Sequence, residues 1–197
     1  VIIGSKIIIQ DNVYILFSDM EGMAKLFTPK YFDLVEKHID HQDNMFQNVI
    51  REQNGKLRNI IGDAYIITFD KIDHLVNAIN YINKYWNDAS NKYGLNKMRL
   101  GCHKGSFFTY RSLFGGLEVN TCAVLESSGK GLIENKDQNF RLITHVSKVI
   151  RDEALKYDKN LKDKFRKVTS KEMNERWRKR LKSTYSYQMN INSKKSD

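Results

Sequence analysis

Two aspartates stand where strand-like runs end. Val13-Tyr14-Ile15-Leu16-Phe17 is a short continuous apolar run, which reads as a buried strand closing at Ser18-Asp19. Asp63 follows Gly62 between two further strand-like runs, Lys56–Ile61 and Tyr65–Phe69, and so sits at the tip of a hairpin. Carboxylates brought side by side repel one another, and a bound cation relieves that repulsion. Hard oxygen donors of this kind suit magnesium or manganese bridging to a substrate phosphate. Taken alone, each residue also has a plainer reading. Asp19 would be a turn former, Arg99 a surface ion-pair residue and Asn120 an ordinary helix residue.

The elements that must position these groups follow from hydrophobic spacing. Residues 30–53 carry Tyr31, Leu34, Val35, His38, Met45, Phe46, Val49 and Ile50 on one helical face, with Pro29 near the first turn and Asn54-Gly55 as the stop. Residues 71–92 repeat Leu75, Ile79, Ile82 and Trp86 at helical spacing until Tyr93-Gly94. Met98–Cys102 and Phe107–Tyr110 read as two strands, and a helix is expected over 117–127 after Gly115-Gly116. The order is β-α-β-β-α-β and then a further helix. It predicts an α+β, ferredoxin-like domain whose antiparallel sheet is covered by helices on one face. Residues 1–150 are expected to form this domain, 151–189 a basic helical or strand extension completing it, and 190–197 a disordered tail.

Composition narrows the setting. The 197 residues are 41% hydrophobic and 28% charged, the balance of a soluble globular protein. Cys102 and Cys122 are too few for a disulfide framework and read as reduced thiols in a cytoplasmic protein. No apolar run approaches the roughly 20 residues a bilayer demands, and Val1–Ile9 is too short and interrupted for a signal peptide. A net charge of +10 favours phosphate-bearing partners without choosing among them. The basic stretch Lys156–Lys182 interleaves Phe165, Trp177 and Tyr185 with Asp158, Asp163, Glu172 and Glu175. That mixture reads as an exposed amphipathic helix, and nucleic acid is not the expected partner. His38-x-x-His41, beside Asp40 and Asp43, lacks a third anchored ligand and reads as a solvated helix face.

In these surroundings four segments resemble the class III nucleotidyl cyclases. Phe17-Ser18-Asp19-Met20-Glu21-Gly22 is similar to that family's F-x-D-I-x-G opening. Gly55 through Ile61-Gly62-Asp63-Ala64 is similar to its G-x-x-x-K-x-I-G-D-A hairpin. Arg99-Leu100-Gly101-Cys102-His103-Lys104-Gly105 resembles its R-x-G-x-H-x-G strand, and Gly116-Leu117-Glu118-Val119-Asn120 its G-x-x-V-N segment. The four occur in family order over roughly residues 13–133. The resemblance implies closure of a nucleoside triphosphate to a 3′,5′-cyclic nucleotide, with release of pyrophosphate. It places two Mg2+ or Mn2+ ions on Asp19, Asp63 and the main-chain carbonyl of Met20. It assigns the triphosphate to Arg99 and to the backbone amides of Glu21, Gly22, Met23 and Ala24, and the ribose to Asn120. It also implies a homodimer whose two sites lie between the subunits, the metal residues of one chain facing Asn120 of the other.

Three positions depart from the family pattern. The purine-selecting positions fall on Asn59 and on Leu113, or Ser112 in a shifted register, and neither purine code is present. A small amide beside an apolar residue suits a pyrimidine, as in the uridylyl and cytidylyl cyclases of bacterial anti-phage systems. The transition-state arginine falls on Val124, with Arg111, Lys130, Lys179 and Lys182 as replacement cations. The stretch between Gly105 and Gly116 is also shorter than the family's usual arm. An inactive cyclase-like binding module and the metal-bearing half of a heterodimer remain open beside the active enzyme.

Overall fold

The computed structural model describes residues 6–111, 113–128, 141–169 and 184–187. The chain runs β1 (Ile8–Met20), a short helix α1 (Met23–Leu26), a 3-10 turn, α2 (Phe32–Glu52), the hairpin β2 (Lys56–Ile61) and β3 (Ala64–Phe69), and α3 (Ile72–Tyr93). It continues through β4 (Met98–Tyr110), β5 (Leu113–Gly115), α4 (Leu117–Ser128), β6 (Leu142–Ser147), α5 (Lys148–Tyr157), a second 3-10 turn, β7 (Phe165–Lys167) and β8 (Thr184–Tyr187). The strands form one sheet in the order β2-β3-β1-β4-β6-β8-β7, with β5 paired to β4.

The central strand β1 explains the layering. Tyr14, Leu16 and Met20 point to one face, where they join Met45, Phe46, Val49, Leu75, Ile82 and Trp86 from α2 and α3. Val13 and Ile15 point to the other, where Cys122 and Val119 of α4 cover them together with Ile66 and Phe107. The alternation is the two-residue period of a strand buried on both sides. The sheet is therefore covered on both faces, not on one as the β-α-β-β-α-β pattern suggested. It is antiparallel except for the β4–β6 pair.

Two of the expected strands are one. β4 continues through Lys104, Gly105 and Ser106 because Tyr14 pairs with Lys104 and Val13 with Gly105 across the ladder. The stretch is too polar to read as strand locally, and pairing with β1 overrides its composition. Beyond residue 150 the chain adds strands to the same sheet. β8 pairs with β6, and the Tyr187 hydroxyl donates to Asn80 at 2.9 Å. Over 158–168 this replaces the expected amphipathic helix by a 3-10 turn and β7. Ser112, Lys130, Lys179, Lys182 and the tail 190–197 lie outside the described residues. Among the described residues no helix is long and apolar enough to cross a membrane. Both cysteines are buried and free, and burial pushes both thiols up, away from thiolate chemistry.

Candidate active site

The end of β1 carries the acidic centre. Asp19 lies directly across the ladder from Arg99 of β4, and the Arg99 Nη2 group donates to the Asp19 carboxylate. Asp63 reaches the same place from the β2–β3 turn, where Gly62 adopts φ +63°. The Met20 N–H donates to Asp63 Oδ2 at 3.1 Å, so the two aspartates are held within a residue's length of each other. The turn is fixed from behind by Gln42 of α2, whose side-chain amide donates to the Asp63 carbonyl at 2.7 Å. Ser18 is fully buried and accepts the Tyr65 N–H at 3.1 Å, tying β1 to β3 beside the centre. The Met20 side chain is buried and its amide is spent on Asp63, which leaves its carbonyl as the only group it can offer a ligand.

Arg99 is 2% exposed and lies in a buried cleft rather than on the surface. Its Nε donates at 2.5 Å to Glu126 of α4, itself 4% exposed, and its Nη1 is buried without a hydrogen-bond partner. An arginine shared by two carboxylates is a rigid, desolvated fork. Sequence reasoning did not single out Glu126. Its signal was an acid directly after the small and apolar Cys122–Leu125 stretch.

After β1 the chain turns directly into α1. The Glu21 N–H is already given to the Lys97 carbonyl at 2.8 Å, so it is not free for an anion. Gly22 turns through φ +77° and leads into the four-residue helix α1. Gly22 and Ala24 are exposed, and Met23 is buried. Asn96 braces the segment, its amide donating to the Glu21 carbonyl at 2.9 Å while its own N–H donates to His38 Nε2 at 2.7 Å. His38 is fully buried, a structural pin rather than part of a solvated face.

Helix α4 runs antiparallel to β4. A Cβ built on Gly101 would lie 2.1 Å from the Cys122 carbonyl oxygen and 2.5 Å from the Glu126 nitrogen, so only glycine lets the helix lie this close. Gly105 likewise takes the Glu118 side chain. Between them His103 contacts Glu118 Oε2 at 2.8 Å through Nε2 and Ser147 Oγ at 2.8 Å through Nδ1. Burial lowers the His103 pKa against the pull of Glu118. Asn120 is exposed on this helix, roughly 9 Å along the axis from Glu126. Val124 is 7% exposed and no cation takes its place on α4.

The remaining candidates lie apart. Asn59 sits past a bulge in β2, its Oδ1 accepting the Ile60 N–H at 2.9 Å. Its neighbour Arg58 donates to Thr68 at 2.7 Å and lies over the Phe107 ring. Leu113 is exposed in β5 next to Arg111, at the opposite end of β4 from Arg99. Among the described residues no three His, Cys, Asp or Glu side chains gather into a metal cage. Two carboxylates and a main-chain oxygen still fit a hard octahedral cation, which keeps waters and takes its other ligands from substrate phosphate.

No family model and no curated protein matches the sequence. Solved structures do. The adenylate/guanylate cyclase/hydrolase from Silicibacter pomeroyi superposes with a TM-score of 0.68 at 14% identity, covering 95% of this chain and 100% of that one. The adenylyl cyclase CyaB from P. aeruginosa gives 0.63 at 13%, with 95% and 98% covered. The guanylate cyclase domain of RhGC from Catenaria anguillulae, in complex with GTP, gives 0.61 at 16%, with 92% and 98% covered. At these identities the likeness is one of fold: the chain has the architecture of adenylyl and guanylyl cyclase catalytic domains.

Proposed function

We propose that the chain is a metal-dependent nucleotidyl cyclase, converting a nucleoside triphosphate to a 3′,5′-cyclic nucleotide and pyrophosphate. The observation that carries this reading is the convergence of Asp19 and Asp63 at one sheet end, with Arg99 across the strand from Asp19. Bound Mg2+ or Mn2+ ions would acidify the 3′ hydroxyl and offset triphosphate charge. The reaction forms the O3′–Pα bond, breaks the bond from Pα to the bridging oxygen and releases the hydroxyl proton to solvent. Asp19, Asp63 and the Met20 carbonyl hold the cations, and the Arg99 fork faces the phosphates.

A second copy completes the site: Asn120, exposed on α4, is presented to the aspartates of the partner. Leu57, Ile60, Ile61, Phe108, Leu113 and Leu117 are exposed apolar residues on the strands and helix such a copy would cover. For the base, the Asn59 Oδ1 accepts the Ile60 N–H, and its NH2 group remains as a donor. A small amide and the apolar Leu113 suit a pyrimidine ring, so UTP or CTP is the favoured substrate. The buried Val124 in place of a charged clamp favours one second reading, a nucleotide-binding module without turnover.

Incubating the purified protein with each nucleoside triphosphate and Mn2+, and assaying cyclic nucleotide and pyrophosphate, separates these. Product from UTP or CTP is expected. No product from any triphosphate, with Asp19→Ala binding nucleotide as well as the parent, refutes the enzyme.

A further inference from the structure

At the end of β1 Asp63 is tied to the Met20 N–H beside Asp19, and Arg99 links Asp19 to Glu126, a chain of three carboxylates and one guanidinium. Together they leave two negative charges, which one divalent cation neutralises. The distribution of those charges is uneven. Arg99 lies between Asp19 and Glu126, bonded to each, and it is the cation that any metal ion must contest at Asp19. Glu126 is 4% exposed, and its second oxygen accepts the Ser127 hydroxyl at 3.0 Å. It is therefore a fixed anchor, whereas the Asp19 side chain is 29% exposed and reachable from solvent.

We propose that Glu126 is a positioning residue that anchors Arg99 and thereby sets the cation affinity of Asp19. The proposal rests on the reading of Asp19 and Asp63 as the metal site. When a cation takes the Asp19 carboxylate, Arg99 gives up one of its two partners. The Glu126 bond keeps the guanidinium in place and desolvated, with Nη1 and the released Nη2 facing incoming phosphate oxygens. Without Glu126 the arginine has Asp19 as its only carboxylate partner. The cluster then loses a negative charge, and Arg99 competes for Asp19 undivided. Residues that act on a ligand through a neighbour commonly shift metal affinity by about 10–100-fold.

The test is Mn2+ binding without nucleotide, read by the free-ion electron paramagnetic resonance signal. Glu126→Gln is expected to weaken binding by about tenfold, while Glu118→Gln, which removes the same charge two turns away on α4, leaves it unchanged. The double variant Arg99→Gln/Glu126→Gln restores the parent's charge and removes the competing guanidinium. It is expected to bind Mn2+ at least as tightly as the parent, and it remains informative if Glu126→Gln alone does not fold. Unchanged binding in Glu126→Gln, or a double variant as weak as the Glu126→Gln single, overturns the proposal. Asp19→Asn reports on the underlying reading separately: binding equal to the parent's would sink the metal site itself and the proposal with it.

Discussion

Gly101→Ala offers the sharpest test of how α4 is seated. The added Cβ would stand 2.1 Å from one backbone atom of α4 and 2.5 Å from another, and neither can rotate away as a side-chain tip could. To reach ordinary contact the helix must retreat by roughly 1 Å, opening its packing of Cys122 and Val119 on Ile15 and Phe107. Overpacking against a well-filled core costs typically 1–3 kcal/mol, and backbone obstacles put this case near the top, at about 3 kcal/mol. For a chain of this size that corresponds to a fall of about 6–12 °C in Tm. Gly62→Ala is the matched control. It has nothing within 4 Å and φ +63°, so its cost is only that of a left-handed alanine, about 1 kcal/mol. Urea unfolding followed by circular dichroism measures both. A Gly101→Ala midpoint within about 0.5 kcal/mol of the parent, or a larger loss for Gly62→Ala, would refute the close seating of α4 on β4.

Three further outcomes are expected. His103 is held neutral by burial, with its pKa below the ordinary 6.5, so the unfolded chain binds the proton more readily than the folded one. Its contribution is full above about pH 6.5 and lost as pH falls through the lower folded value. The difference in urea midpoint between parent and His103→Asn should therefore change with pH below about 6.5 and be level above it. Asp63→Asn keeps an oxygen for the Met20 N–H and should unfold with the parent, while losing Mn2+ affinity roughly tenfold or more. Asp63→Ala should lose about 1 kcal/mol of stability besides. Tyr187→Ala removes a buried ring tilted against Phe165 and the bond to Asn80, and calorimetry should show a loss of about 3–5 kcal/mol in a single transition if β8 belongs to the main cooperative unit.

Much of the scaffold was legible because it is local. The helical faces of α2 and α3 lie within two residues of their expected bounds, since each is a long amphipathic period with a marked stop. The Gly62-Asp63 turn was legible because two strand runs flank a residue pair suited to positive φ. The joining of β4 was not, since a polar stretch becomes strand only when β1 supplies partners for it. His38 divides in the same way: its spacing placed it on the apolar face of α2, and only the approach of Asn96 makes it a buried acceptor rather than part of a solvated pair with His41.

The acidic centre divides the same way. The sequence alone determined that Asp19 and Asp63 end strand-like runs, because apolar runs and turn residues are properties of neighbours in the chain. Only the tertiary structure decided that Arg99 stands opposite Asp19, since strand register is set by the whole ladder. It alone brought Glu126 to the other side of that arginine, on a helix whose seating depends on the missing Cβ of Gly101. Charge pairing of this kind is a contact across 80 residues for Asp19 and 27 for Glu126, and separation of that length carries no local signal.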